Sequence, residues 1–181
     1  MSQPQRIAFA IVTVSDTAAA KTKEDLSGPA IQQLLLASKR FEADISSAVI
    51  IADESEEIKQ TLLSLTDRVD VILTTGGTGF APRDVTPEAT KAVIERDCPG
   101  IVTALLMRSL QATPLAALSR LTAGIRGSTL IINLPGSPKA VKECFEVLEP
   151  ILSHAVHLIK NHSQPVKSTH DALQKTDVPN H

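Results

Sequence analysis

The sequence predicts an α/β fold in which a mostly parallel sheet is covered on both faces by helices. Apolar runs that are typical of buried strands alternate along the chain with segments of helical pattern. Strands that alternate with helices are joined by crossover connections, and crossovers make neighbouring strands parallel. The chain has 181 residues, of which 43% are hydrophobic, and this is enough for one domain with a substantial core.

Three strands are predicted in the first half of the chain from apolar or β-branched runs. They lie at 7–14, within 41–51 and at 71–75. Two helices fill the intervals between them. The first opens at Ser27, which we expect to be its cap, and the second runs from about Asp53 to Leu65.

The second half begins with a helix predicted from Thr86 to about Arg96, which Pro99 and Gly100 end. A further helix, a short helix, a brief strand and a clear strand are predicted at 101–110, after 113, at 123–125 and at 129–134. Ser137 and Pro138 then open a long helix that reaches about residue 160. We therefore expect a domain at 1–160 and a polar tail at 161–181.

The composition excludes several classes of function. The formal charge of −2 and the shortage of aromatic residues, which make up 2% of the chain, argue against a nucleic-acid partner. Two cysteines are too few for a disulfide framework, and no apolar run is long enough to cross a membrane. We expect a cytoplasmic protein.

Polar and glycine residues follow each strong strand. In parallel α/β sheets, ligands bind beyond the carboxyl ends of the strands, so these residues are expected to meet at one rim. That convergence is the main sign of a site in the residues themselves. The groups that follow the strands are Ser15 and Asp16; Asp53; Gly76, Gly77, Thr78 and Gly79 with Arg83 and Asp84; and Pro135, Gly136 and Ser137.

The glycine turn at 76–79 would let backbone N–H groups approach a phosphate without a Cβ in the way. Helix N-termini near Thr86 and Ser137 add partial positive charge at the same rim. The turn is neither a Walker A loop nor a dinucleotide fingerprint, because the residues after Gly79 are Phe80, Ala81 and Pro82. Taken alone it is equally compatible with a plain connection between a strand and a helix.

Asp53 and Asp84 are candidate ligands for Mg²⁺, which prefers a few carboxylates together with phosphate oxygens. Each also has a structural interpretation, since Asp53 fits a helix cap and Asp84 fits an ordinary turn. Asn133 is a polar residue near the end of an apolar strand, and its partner is either backbone or a ligand. Arg120 is a possible phosphate contact or a solvated surface residue.

Longer motifs resemble the molybdopterin adenylyltransferases of molybdenum cofactor synthesis, the MogA, MoaB and gephyrin G domain proteins. The specific motifs are LTTGGTGFAPRDVTPEAT at 73–90 and GIRGSTLIINLPGSPKAVKEC at 124–144. Shorter matches are TVSD at 13–16, SGPA at 27–30 and IADE at 51–54. The resemblance covers about residues 6–160.

The resemblance implies a three-layer α/β/α fold, a homotrimer, and the reaction of molybdopterin with ATP and Mg²⁺ to give adenylyl-molybdopterin and pyrophosphate. It implies that the product passes to a molybdate-inserting partner enzyme of the MoeA or gephyrin E domain type. The expected roles divide the site residues into three sets. The catalytic and metal-binding set is Asp53 and Asp84, the nucleotide set is Gly76, Gly77, Thr78, Gly79, Asn133, Pro135, Gly136 and Ser137, and the pterin set is Ser15, Asp16, Ser109, Ser119 and Arg120.

Two other interpretations remain open at this point. Nucleotide pyrophosphatases of the CinA type contain related domains, although they carry further domains or different motifs. A catalytically silent MoaB-type relative that binds pterin or acts as a scaffold would share the fold. The presence of both Asp53 and Asp84 favours the active enzyme.

Overall fold

The computed structural model describes residues 4–160, and the expected tail at 161–181 lies outside the described residues. The chain alternates strands and helices for most of its length. The strands are β1 Arg6–Val14, β2 Glu42–Ile51, β3 Val71–Thr75, β4 Arg96–Asp97, β5 Ala123–Arg126 and β6 Thr129–Leu134. The helices are α1 Asp16–Ala19, α2 Ser27–Ala37, α3 Ser55–Leu65, α4 Thr86–Lys91, α5 Pro99–Ala112 and α6 Pro138–Ile159, with a 3₁₀ turn at Pro114–Leu118.

The six strands form one sheet in the order β2-β1-β3-β6-β5-β4. The first four strands of that order are mutually parallel, whereas β5 runs antiparallel to both β6 and β4. The predicted mostly parallel sheet is therefore confirmed. Its antiparallel part comes from a hairpin, in which β5 and β6 are joined by a turn with Gly127 at φ 53°.

Helices cover both faces of the sheet, which gives the expected three-layer arrangement. Along β1, Phe9 and Ile11 face a core built with α2, α5 and α6, while Ala10 and Val12 face a second core built with α3 and α4. This alternation follows from the two-residue period of a strand. The sequence of β1 is apolar from Ile7 to Val12 because both faces of the strand are covered there.

The predicted helix from Thr86 to Arg96 is wrong in its second half. The helix ends at Lys91, and the next residues turn back to the sheet, where Arg96–Asp97 pair with β5. Gly124 on β5 permits this approach, because a Cβ there would lie 2.7 Å from the Arg96 carbonyl oxygen. In this segment, pairing with β5 through backbone hydrogen bonds is therefore more favourable than continuation of the helix.

Ser27 is also not the cap of α2 that the sequence predicts. Leu26 is the capping residue by backbone geometry, and the Asp25 carboxylate accepts the N–H groups of Ser27 at 2.9 Å and Gly28 at 3.0 Å. A carboxylate is a stronger acceptor than a hydroxyl for these exposed donors. The Ser27 hydroxyl instead donates to the carbonyl oxygen of Gly136 at 2.7 Å.

No helix within residues 4–160 combines the length and the apolar character that crossing a membrane requires.

Candidate active site

The carboxyl ends of the four parallel strands lie side by side. Val14 at the end of β1 is paired with Ile51 at the end of β2, and Thr75 at the end of β3 is paired with Leu134 at the end of β6. Because β1 and β3 are also in register, through Thr13 and Thr75, the segments that follow all four strands emerge at one rim. The predicted convergence of polar segments therefore has a structural basis.

Asp16 and Asp53 hold each other at this rim through reciprocal hydrogen bonds. The backbone N–H of Asp16 donates to Oδ2 of Asp53 at 2.7 Å, and the N–H of Asp53 donates to Oδ1 of Asp16 at 3.0 Å. The segments after β1 and β2 are thereby joined. Asp53 does not cap α3, whose capping residue Glu54 makes no side-chain hydrogen bond to the helix.

The glycine turn after β3 depends on the absence of side chains. Gly76 has φ 97°, and a Cβ there would lie 2.2 Å from the carbonyl oxygen of Val14. Gly77 has φ 61°, and its Cβ would lie 2.3 Å from Oγ1 of Thr86 and 2.8 Å from Oδ1 of Asp53. These contacts show that the turn lies directly against the Asp53 carboxylate.

Thr86 fixes the far side of the same turn. Its hydroxyl donates to the Gly76 carbonyl oxygen at 3.0 Å, and its backbone N–H donates to the Gly77 carbonyl oxygen at 3.1 Å. Thr86 is fully buried, so both bonds are shielded from water. The first residue of α4 therefore anchors the glycine turn.

The Asp84 side chain closes a small loop just before α4. Its Oδ2 accepts the N–H of Ala81 at 3.0 Å, while its own N–H donates to the Ala81 carbonyl oxygen at 2.9 Å. A Cβ on Gly79 would lie 2.8 Å from the same carboxylate oxygen. Asp84 therefore shapes this loop, and it does not cap α4, whose capping residue Val85 makes no side-chain bond to the helix.

Arg120 spans this loop from outside. Its Nε donates to the Gly79 carbonyl oxygen at 2.7 Å, and its guanidinium group also contacts the Asp84 carbonyl oxygen and the Glu88 carboxylate. The Arg120 backbone N–H donates to the carbonyl oxygen of Thr78 at 2.8 Å. Its donors are thus directed at the protein, and it borders neither of the two clefts described next.

The first cleft has a volume of about 310 Å³ and a wall of polar and apolar surface in nearly equal parts. It lies over the ends of β1, β2 and β3, and its floor is the glycine turn. Its wall also contains Lys23, Asp25 and Ser27, which were not predicted to be site residues. The lining includes Thr13, Ser15, Thr17, Lys23, Asp25, Ser27, Asp53, Gly76, Gly77, Asp84 and Gly136.

The second cleft, of about 410 Å³, lies between the glycine turn, the end of α5 and the start of α6. Its wall is more apolar. Four residues, Gly76, Gly77, Asp84 and Gly136, line both clefts and form the wall between them. The rest of the lining includes Thr78, Gly79, Ser109, Thr113, Leu115, Ala116, Ser119, Pro135, Ser137, Ala140 and Glu143.

The loop after β6 is held in this dividing wall by hydroxyl groups. Thr75 donates from Oγ1 to the Pro135 carbonyl oxygen at 2.7 Å, and Ser27 holds the Gly136 carbonyl oxygen. Ser137 caps α6, because its Oγ accepts the N–H of Ala140 at 3.2 Å. The long helix therefore presents its N-terminus at the second cleft.

Burial raises the pKa of the Asp53 carboxyl, and the negative charges of Asp16 and Asp84 raise it further. The backbone hydrogen bond from Asp16 acts in the opposite direction and lowers this pKa. The opposite holds for Asp16, whose pKa is lowered by the hydrogen bonds from Arg83 and from the Asp53 backbone. The two neighbouring carboxylates thus have different environments. Asp53 is the one that a cation would stabilise most.

The structure brings together most of the residues that the sequence assigns to the site, but it divides the expected pterin set. Ser15 lines the first cleft, whereas Ser109 and Ser119 line the second. Ser109 is nearly buried, with its Oγ 3.7 Å from Sγ of Cys144. Asp16 makes its contacts to Asp53 and Arg83 and borders neither cleft.

Asn133 lies under the site and lines neither cleft. Its side chain is fully buried, and its Nδ2 donates to the hydroxyl oxygens of Thr74 and Thr90, both at 2.9 Å. Its Oδ1 is buried without a hydrogen-bond partner among the described residues. From the sequence, the partner of this side chain was expected to be either backbone or a ligand. In the structure, its amide group donates to two side-chain hydroxyl groups.

The donor set fits a magnesium ion that is shared with phosphate oxygens. Within residues 4–160 no group of three or more His, Cys, Asp or Glu side chains is arranged to hold a metal by itself. Asp53 and Asp84 each use one carboxylate oxygen for a backbone N–H, which leaves the Oδ1 atoms for a cation. Mg²⁺ typically takes one or two carboxylates and completes its shell with water and substrate phosphate.

The fold and the rim define an α/β/α domain with two adjoining clefts at the carboxyl edge of its sheet. The chain belongs to the family described as "Probable molybdopterin binding domain", whose model matches residues 10–154. The resemblance inferred from the two long motifs is therefore confirmed.

The relatives support this membership over most of the chain. The chain is 44% identical over 161 residues to the molybdopterin adenylyltransferase of Helicobacter pylori strain J99, which covers 86% of this chain and 89% of that protein. It is 45% identical over 179 residues to the molybdenum cofactor synthesis protein cinnamon of Drosophila melanogaster. That match covers 98% of this chain but only 30% of cinnamon.

A solved structure gives the same result. The molybdopterin biosynthesis enzyme MoaB from Thermus thermophilus superimposes with a TM-score of 0.78 at 42% sequence identity. The match covers 84% of this chain and 96% of the MoaB chain. The three-layer fold expected from the motifs is therefore confirmed.

Proposed function

We propose that this chain is a molybdopterin adenylyltransferase of molybdenum cofactor biosynthesis, which converts molybdopterin and ATP to adenylyl-molybdopterin and pyrophosphate. The observation that carries the proposal is the wall that the two clefts share. Gly76, Gly77, Asp84 and Gly136 line both clefts, so ligands in the two clefts meet at this wall. A group-transfer enzyme with two substrates requires such a meeting point.

The first cleft suits the nucleotide. Its lining offers the hydroxyl groups of Thr13, Ser15 and Thr17. Over the part of the chain that the structure describes, Lys23 supplies the one positive charge in a lining that also holds four carboxylates. The glycine turn in its floor presents backbone to the phosphates without side chains in the way. The residues Gly76, Gly77 and Gly136 are then the part of the expected nucleotide set that touches this ligand.

The second cleft suits the pterin. Leu115, Ala116 and Ala140 give it apolar walls for a flat ring system, and Ser109 and Ser119 add polar groups along one side. Ser137 at the N-terminus of α6 lies in the same cleft, where the helix favours a negative charge. The terminal phosphate of molybdopterin would thus face the dividing wall.

The reaction is a displacement at the α-phosphorus of ATP. An oxygen of the pterin phosphate forms a bond to that phosphorus, and the bond from phosphorus to the bridging oxygen breaks, so that its electron pair leaves on pyrophosphate. The attacking oxygen is already an anion, and no side chain has to remove a proton from it. The protein contributes by positioning both phosphates at the glycine turn and the Asp84 loop.

Asp53 and Asp84 would hold Mg²⁺, and the ion would neutralise charge on the phosphate oxygens. Without a cation, the carboxylates of Asp53 and Asp84 would repel a triphosphate. Burial, together with the negative charges of Asp16 and Asp84, raises the pKa of Asp53, so a nearby cation would stabilise its charged form. Arg120 acts on this site by holding the carbonyl oxygens of Gly79 and Asp84, and Asn133 acts by holding the hydroxyl groups of Thr74 and Thr90.

The alternative of a silent, pterin-binding relative is less well supported, because the geometry keeps Asp84 in the dividing wall and the Asp53 carboxylate against its glycine turn. The adenylyltransferase named among the relatives also favours an enzyme over a CinA-type pyrophosphatase. We further propose a homotrimer in the cytoplasm that delivers its product to a molybdate-inserting enzyme. The greater length of cinnamon, of which this chain spans 30%, leaves room for such a partner within one polypeptide.

Calorimetric titration of the protein with ATP and with molybdopterin, followed by a turnover assay with Mg²⁺, tests the proposal. We expect each ligand to bind without the other and pyrophosphate to appear only when both are present. The Asp84→Asn variant should keep its fold and lose turnover by at least about a hundredfold, as expected for a group that acts on the transferred phosphate. Wild-type turnover by this variant would eliminate the metal role, and failure to bind either ligand would overturn the proposal.

A further inference from the structure

Arg83 joins three segments of the rim through its side chain. It lies in the loop after β3, yet its Nε and one terminal nitrogen donate to the Asp16 carboxylate at 3.0 and 2.9 Å. The same terminal nitrogen is 2.8 Å from the Glu54 carboxylate. Asp16 follows β1 and Glu54 follows β2, so one guanidinium group ties the ends of three parallel strands together.

The connection continues from Asp16 to one of the two candidate metal ligands. Asp16 accepts the backbone N–H of Asp53, and Asp53 accepts the backbone N–H of Asp16. A movement of Asp16 would therefore displace the Asp53 carboxylate directly. Arg83 is thus two hydrogen bonds away from Asp53.

The other end of the connection is the second candidate ligand. Arg83 is the chain neighbour of Asp84, and both belong to the loop that Ala81 and Asp84 close with two hydrogen bonds. Arg120 holds the same loop from outside through the carbonyl oxygens of Gly79 and Asp84. Because these bonds hold the loop, they also fix the position of Arg83 relative to Asp84.

We propose that Arg83 and Asp16 form a clasp that sets the position of Asp53 relative to Asp84 and thereby tunes the metal site of the proposed reaction. They are positioning residues, since neither lines the wall that the two clefts share. The inference rests on the proposed function, because the two carboxylates matter as a pair only when they hold a cation. A planar guanidinium bound to two carboxylates supplies the fixed geometry that a lysine would not.

The clasp contributes little to the stability of the fold. The Arg83 side chain is 56% exposed and that of Asp16 is 43% exposed, and solvent screens ion pairs of this kind. Its loss should therefore appear in the affinity for the metal rather than in the melting temperature. Groups that orient metal ligands typically change metal affinity by about tenfold to a hundredfold when they are removed.

The test measures binding of Mn²⁺, a paramagnetic substitute for Mg²⁺, to the full chain. The nucleotide present is α,β-methylene-ATP, in which the methylene bridge between the α- and β-phosphorus atoms cannot be cleaved. We expect Arg83→Gln to weaken Mn²⁺ binding in electron paramagnetic resonance titrations by about tenfold. Asp16→Asn should have a similar effect, because an amide oxygen still accepts the Asp53 N–H but no longer attracts Arg83. Arg83→Lys should recover part of the loss.

The matched control is Arg6→Gln. Arg6 pairs with Asp44 at 2.8 Å across the opposite ends of β1 and β2, and its side chain is similarly exposed. This variant should bind Mn²⁺ as the wild type does. Combining Arg83→Gln with Asp16→Asn should cost no more than either change alone, because residues that act through one contact are not additive.

The outcomes separate the clasp from the reaction. If the wild type binds Mn²⁺ with the nucleotide analogue and Arg83→Gln binds it equally well, the clasp is overturned and the proposed function is untouched. Fully additive losses in the double variant would also overturn it, since Arg83 and Asp16 would then act separately. If the wild type binds no Mn²⁺ in the presence of the analogue, the two-carboxylate metal site fails, and the clasp fails with it.

Discussion

Replacement of Gly77 by Ala tests the geometry of the site most sharply, because it adds a single methyl group at the point where the glycine turn meets Asp53. The added Cβ would lie 2.3 Å from Oγ1 of Thr86 and 2.8 Å from Oδ1 of Asp53, and φ at this position is 61°. Neither contact is tolerable without movement. The substitution must therefore displace the Thr86 hydroxyl, the Asp53 carboxylate, or the turn itself.

The expected loss of stability has two sources. A left-handed backbone conformation costs a residue with a side chain about 1–2 kcal/mol relative to glycine. Displacing the Thr86 hydroxyl from the carbonyl oxygen of Gly76 costs about 1 kcal/mol more. The sum, about 2–3 kcal/mol, corresponds to a fall in melting temperature of roughly 4–12 °C for a domain of this size.

Urea unfolding and calorimetric titration with ATP and Mg²⁺ measure the two effects separately. We expect Gly77→Ala to lose at least about tenfold in nucleotide affinity under conditions where it remains folded, since small displacements of a positioned group are costly. Gly100→Ala is the matched control. A Cβ on Gly100 meets nothing within 4 Å, and alanine is favoured over glycine in a helix by up to about 1 kcal/mol.

Wild-type stability and wild-type ATP affinity in Gly77→Ala would refute the arrangement in which the glycine turn lies against Asp53. A loss of stability without a loss of affinity would leave the turn as a structural element only. A destabilised Gly100→Ala variant would show that free space around the added Cβ does not predict tolerance of alanine in this protein.

Three further predictions concern other parts of the site. Burial raises the pKa of Asp53 above 3.8, so the folded protein binds this proton more tightly than the unfolded chain, and stability falls as pH rises from 3.8 through the folded pKa. In the absence of divalent cations, Asp53→Asn should therefore melt above the wild type at pH 7 and match it below about pH 3.8; equal melting at both pH values would contradict this. Asn133→Ala should destabilise the fold by about 2–3 kcal/mol in urea unfolding, because it leaves the Thr74 and Thr90 hydroxyl groups without their buried partner; unchanged stability would show that this network is unimportant. Iodoacetamide should modify the partly exposed Cys98 before the fully buried Cys144 in the native protein, although burial raises the pKa of both thiols, and mass spectrometry of the peptides would reveal the reverse order.

The parts of the fold that sequence predicts well are those set by local pattern. The apolar runs of β1, β3 and β6 and the cap at Ser137 depend on neighbouring residues, so each lies close to its predicted position. The order of residues also predicts the rim, because parallel strands place their carboxyl ends together. The glycine turn is found in the same way, since only glycine fits at Gly76 and Gly77.

The parts that sequence missed depend on contacts between distant segments. The strand at Arg96–Asp97 exists because Gly124, almost thirty positions later, has no side chain. The pairing of Asp16 with Asp53 and the bonds from Arg120 to the Gly79–Asp84 loop likewise join residues far apart in the chain. Residue type alone indicates only that such groups need partners.

The first cleft gives a further example. Asp25 and Lys23 lie in a polar stretch without periodicity, and nothing in that stretch distinguishes them from a solvated loop. The carboxylate of Asp25, two positions before Ser27, was the available signal, because Asp in that place commonly accepts the first N–H groups of a helix. Its bonds to Ser27 and Gly28 hold the wall of the cleft.

Transfer of label from α-³²P-ATP to molybdopterin tests the central claim most directly. The account predicts that the full chain with Mg²⁺ places the label on the pterin and releases unlabelled pyrophosphate in equal amount. Chelation of the Mg²⁺ should stop the transfer. Binding of both substrates with no labelled pterin formed would contradict the account and leave the chain as a binding protein.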